Sequence, residues 1–157
     1  MISPKWAVDE LVKFVEQSVQ HTKMDVQRGG DERVPSVYAD SAPFTSPTES
    51  HAPLIVVRFI SDTPSRMTIK LIAGTYADDK KSGWEDAVTI LRKIRADLGR
   101  AGVIASRLHF VQTDDSPKID LPEEQPVPNY MASMTCDFEV ASQVKREINW
   151  EEIMNDN

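Results

Sequence analysis

The chain has 157 residues, 40% of them hydrophobic, 27% charged and 7% aromatic, with a formal net charge of −7, which most simply makes one domain with a substantial core. The acidic balance, with Lys and Arg interleaved among acids, argues against direct nucleic-acid binding, which wants a clustered basic face. One cysteine, Cys136, excludes an internal disulfide framework and fits a reducing compartment. The start "MISPKWAVDE" has no apolar run of signal-peptide length, and nowhere do about 18 apolar residues run together as a membrane span requires. The expectation is a soluble, acidic, cytoplasmic protein.

"SPKWAVDELVKFVEQSVQ" predicts the first helix. Ser3 is its N-cap and Pro4 its first residue, where a missing N–H costs nothing. Ala7, Leu11, Val15 and Val19 recur every fourth residue, flanked by Trp6, Val8, Val12 and Phe14. From about 21 to 52 the chain turns polar and rich in Gly, Pro, Ser and Thr. One short strand fits around Val34 to Tyr38, and the rest reads as loop, either an assembly element or disorder.

"PLIVVRFI" (53–60) and "MTIKLIAGTY" (67–76) are strand candidates joined by the turn residues "SDTPS", which predicts an antiparallel pair. "SGWEDAVTILRKIRADLG" follows as a second helix, with Ser82 and Glu85 as a capping box. Trp84, Ala87, Val88, Leu91, Ile94 and Leu98 form its expected buried stripe, and Gly99 or Gly102 its close. "SRLHFVQ" alternates like a strand, and a short extended piece is expected near Ile119. "YMASMTCDFEV" alternates strictly, with Ala132, Met134, Cys136, Phe138 and Val140 on one face. A charged tail fills about 142–157. The predicted class is α+β, one domain over 1–157, with an antiparallel or mixed sheet and two main helices on one face.

No motif carries chemistry. His21, His51 and His109 fall in separate segments without a metal-ligand spacing, and His109 reads as a satisfied structural residue. Cys136 lies on the apolar face of its strand with acids beside it, which favours a buried thiol over a nucleophile. The glycines approach no phosphate-binding loop. Asp78-Asp79, Asp114-Asp115 and Glu123-Glu124 are acidic pairs that read as solvated surface rather than as a cation or acid/base site. The residues call for no catalysis, metal or cofactor.

Three short stretches are informative together: "P-x-x-x-V-R" at Pro53–Arg58, "Y-x-x-D…G-W-x-D/E" from Tyr76 to Asp86, and "E-Q-P-x-P-x-Y" at Glu124–Tyr130. In these, over about 53–147, the chain resembles bacteriophage tail terminators, the lambda-type tail-terminator and neck protein family of siphophages, myophages and prophages. The resemblance implies a small α+β structural subunit that forms a homo-hexameric ring in the virion tail or neck, assembled in the cytoplasm of the bacterial host. Such a ring caps the tail tube, ends its polymerisation and meets the head–tail connector protein, with DNA only as passing cargo and no membrane.

The residues agree with parts of this. A ring needs a different patch on each flank of the subunit. Pro126 and Pro128 hold the connector Glu123, Glu124, Gln125 to Tyr130 extended, so docking it would order little. Tyr130 is then either an interface anchor or a core residue of a connector tucked against its own domain. Arg58 is either an intersubunit partner for an acid or half of an intrachain salt bridge, and Asp78 and Asp79 complete the candidate interface. Six copies at −7 carry about −42, which repels DNA from a lumen. Two alternatives stand beside this reading. One is a head–tail connector or head-completion subunit. The other is a small ligand-binding or enzymatic α+β domain, which predicts a buried polar cluster around Asp78, Asp79, Asp114 or Glu123.

Overall fold

The computed structural model describes residues 2–26, 32–41, 52–77, 83–126 and 128–140. Helix α1, Pro4–Val19, starts from an extended Ser3 whose hydroxyl oxygen accepts the Trp6 N–H at 3.1 Å. That satisfies one donor which a helix start leaves without an intrahelical acceptor. Ala7, Leu11, Val15 and Val19 are buried to 1% exposure or less, so the every-fourth-residue stripe is the packing face.

The polar stretch holds more structure than its composition suggests. Strands β1, Met24–Asp25, and β2, Glu32–Arg33, pair antiparallel as a small separate sheet. Strand β3, Ser36–Ala39, is shifted slightly from the expected Val34–Tyr38 and runs parallel to β4, Leu54–Asp62, with Val37 opposite Ile55. Residues 42–51 lie outside the described set.

Strand β5, Arg66–Tyr76, returns antiparallel on β4, with a bulge in β4 between Phe59 and Ser61. Helix α2, Gly83–Ala101, buries Gly83, Ala87, Ile90, Leu91, Ile94 and Leu98. Trp84, expected in that stripe, is instead 40% exposed, and Val88 is half-buried. The stripe is centred on Ala87, Ile94 and Leu98, and Trp84 lies roughly 60° round the helix from its middle. Ser82 of the expected capping box lies outside the described residues. At the other end Gly102, at φ +71°, gives its N–H to the Leu98 carbonyl at 2.9 Å and closes the helix.

Short strands β6, Val103–Ile104, β7, Leu108–Phe110, and β8, Ile119–Asp120, precede the long β9, Asn129–Glu139. The sheet order is β3-β4-β5-β9-β7-β6, with β8 also on β9. The β5–β9 ladder runs unbroken from Arg66 opposite Glu139 to Tyr76 opposite Asn129. Side chains alternate across it: Met67, Ile69, Leu71, Ala73, Ala132, Met134, Cys136 and Phe138 are all buried at 1% or less. Helix α1 packs on β3 and β4, and α2 on β5 and β9. Ser18 donates its hydroxyl to the Asp97 carboxylate at 2.5 Å and ties the helices together. That bond, with help from Lys93 and Arg100 and against partial burial, holds the Asp97 carboxyl below the usual range. The fold is α+β with a mixed sheet. Its other face presents Arg58, Lys70, Ile72, Ser133 and Thr135, each half-buried or exposed.

Candidate assembly surface

The described connector residues 121–126 and 128 lie between β8 and β9, and Gln125 meets β9 at Met131 on the side away from β5. The connector's conformation is held by bonds within the chain. The Gln125 side chain acts as a short strand: its Nε2 donates to the Met131 carbonyl at 3.1 Å, and its Oε1 accepts the Met131 N–H at 2.7 Å. Asn129 N–H reaches the Pro126 carbonyl at 2.8 Å in a turn, and Ala77 N–H reaches the Pro128 carbonyl at 3.1 Å. The prolines restrict the chain and supply acceptors, which is what residues without an N–H can do here.

Tyr130 is only 3% exposed, so within the chain it is a core residue and not a free surface anchor. The alternation of β9 turns it to the same face as Ala132 and Met134. Its ring lies against Gly83 at the start of α2, where a Cβ would meet Tyr130 Cε2 at 2.1 Å. Among the described residues the buried Tyr130 hydroxyl has no hydrogen-bond partner. Counting back by twos from Ala132 was the signal that would have placed it inside.

The other candidates divide by place. Glu123, Glu124, Pro126 and Pro128 are exposed and Gln125 is half-buried. Arg58 is exposed and donates Nε to the Asp40 carbonyl at 3.0 Å, a backbone partner in place of the expected acid. Asp78 and Asp79 lie outside the described residues. Lys70 stands directly opposite Arg58 on β5 and was missed from sequence, because only strand register brings the two together. Exposed apolar side chains accompany both groups: Ile60 is 47% exposed near Arg58, and Leu121 is 43% exposed ahead of Glu123.

Among the described residues the chemical candidates do not converge on one another. His21 and His109 are exposed, the latter at variance with a satisfied structural role, and His51 lies outside the described residues. Asp114 and Asp115 are exposed in the turn Thr113–Ser116; of the four acids at which an enzymatic reading predicted a buried polar cluster, Asp114 and Glu123 are exposed, and Asp78 and Asp79 lie outside the described residues. Cys136 is buried, and burial first, then the Asp137 charge, pushes its thiol up to about 12. Beside α2, a groove next to β1 and β2 gathers Asp25, Glu32 and Asp86 with Lys23 and Lys93. Partial burial, then the charges of Asp25 and Glu85, raises the Asp86 carboxyl above the usual range. Among the described residues no three or more His, Cys, Asp or Glu are grouped to hold a metal ion. No helix among the described residues is long and apolar enough to cross a membrane.

Fold and surface together define an α+β fold whose sheet, among the described residues, has one face under helices and the other carrying exposed and half-buried side chains. No protein-family model matches the chain, and no curated protein matches it.

Proposed function

We propose that the chain is a structural subunit of a bacteriophage tail: a terminator that caps the tail tube as a hexameric ring, ends tail polymerisation and offers the surface that the head–tail connector joins. The observation that carries this reading is where the stretches resembling tail terminators lie. Tyr76 and Asn129 are opposite each other, Gly83 accommodates Tyr130, and Gln125 grips Met131 beside them. These residues come from two stretches far apart in sequence and meet at one corner, where they hold a shape. An open sheet face with two unlike flanks also suits a subunit that repeats head-to-tail around a ring. An assembled charge of about −42, six copies at −7, would keep passing DNA from sticking.

The test is electron microscopy of particles from the native phage with this gene interrupted. Overlong tails beside filled, unjoined heads are the expected result. Tails of normal length with leaking or unjoined heads would move the protein to the connector, and normal infectious particles would overturn both assignments.

A further inference from the structure

We infer that the ring contact is made by the connector of one subunit, through Leu121, Glu123 and Glu124, seated on Arg58, Ile60 and Lys70 of the next copy's open sheet face. This rests on the ring reading above and names the surfaces that meet.

The argument begins with an unbalanced pair. Arg58 and Lys70 are directly opposite on neighbouring antiparallel strands, and like charges placed so repel. Farther along β5, on its ladder with β9, the cation is answered: Arg66 approaches Glu139 at 3.5 Å and Asp137 at 4.0 Å. Arg58 and Lys70 have no ion pair among the described residues, and Thr135, next across the sheet from Lys70, carries no charge. An incoming carboxylate pair would relieve that repulsion.

The connector carries such a pair. Glu123 and Glu124 are exposed and adjacent, and neither takes part in an ion pair among the described residues. Leu121, 43% exposed, lies two residues before Glu123, and Ile60, 47% exposed at the β4 bulge, lies two residues after Arg58, so each surface offers an exposed apolar side chain near its charge. An isolated exposed ion pair stabilises little. Packing Leu121 against Ile60 excludes water from the charges beside them, and the charge pattern fixes register and rejects a shifted partner.

Placement favours a second copy as the occupant. Arg58 lies on β4, near the β3 side of the sheet. The connector meets β9 on the opposite side, with β5 between the two strands. One subunit can therefore give its connector while receiving another's, which is a heterologous contact that closes into a ring if the rotation closes. The connector is already held by Gln125 and the carbonyls of Pro126 and Pro128, so little ordering entropy opposes docking.

The test is a charge exchange read by sedimentation over a range of protein concentrations. Arg58→Glu with Lys70→Glu makes both surfaces acidic, and Glu123→Lys with Glu124→Lys makes both basic. Each double variant alone should self-associate at least roughly tenfold more weakly than the wild type. Mixed in equal amounts, the two should restore assembly as alternating copies, because each face then meets a connector of opposite sign. The restored mixture also shows that both variants fold, and added salt should weaken it. Double variants that assemble like the wild type, or a mixture that fails to assemble while the wild type does, would overturn the contact and leave the ring standing. A wild-type chain that stays monomeric throughout would overturn the contact as well, and the tail-length experiment would then judge the terminator separately.

Discussion

Gly83 and Tyr130 show how much one missing side chain can decide. Alanine at 83 would ordinarily favour a helix by about 1 kcal/mol over glycine. Here its Cβ would come within 2.1–2.7 Å of three Tyr130 ring atoms, and the ring is buried. Overpacking of that kind costs about 1–3 kcal/mol, so the steric term wins. Net of the helix gain, Gly83→Ala should lower the unfolding free energy from a urea titration by roughly 1–2 kcal/mol, and a variant as stable as the wild type would refute the packing. Tyr130→Phe should behave oppositely. Its buried hydroxyl has no partner among the described residues, an arrangement that costs about 1–3 kcal/mol, so removing it should be neutral or stabilising in the same titration.

The connector is an element without regular structure, and a side chain supplies what a strand would have supplied. Where β8 stops pairing, Gln125 satisfies both backbone groups of Met131. Gln125→Ala should expose them to water, costing about 1 kcal/mol and raising the hydrogen-exchange rate of the Met131 amide. Gln125→Glu should be worse, since a carboxylate keeps the acceptor but faces the Met131 carbonyl with no donor. An unchanged exchange rate in both variants would mean that the clamp does not hold the connector.

The whole molecule closes around the inner face of β5 and β9, and Cys136 reports on that closure. The folded thiol titrates near 12, against 9.0 for an ordinary one. The unfolded chain therefore sheds this proton first as pH rises. Stability contributed by the neutral thiol is complete below pH 9 and is lost progressively from 9 to about 12. Chemical denaturation across that range should show a steeper fall for the wild type than for Cys136→Ala. At neutral pH a thiol reagent should label the native chain only through global opening. Rapid labelling under native conditions would place Cys136 outside the core.

Sequence and structure agree where the cause is local. The Ser3 cap and the stripe through Val19 repeat over single turns of one helix, and the alternation in β9 belongs to one strand. Each was legible because backbone periodicity sets which side chains share a face. The exposed placement of Glu123, Glu124, Pro126 and Pro128 was legible for a similar reason, since acids and prolines in a connector have little to bury. The parallel seat of β3 beside β4, the Gln125 clamp, the ring of Tyr130 under Gly83 and the opposition of Arg58 to Lys70 were not legible. Tyr130 and Gly83 are 47 positions apart in the chain, and nothing local to either names the other. The amino-acid pattern chose the elements and their inward faces, whereas the register between strands chose the neighbours, because register minimises the energy of many long-range contacts at once.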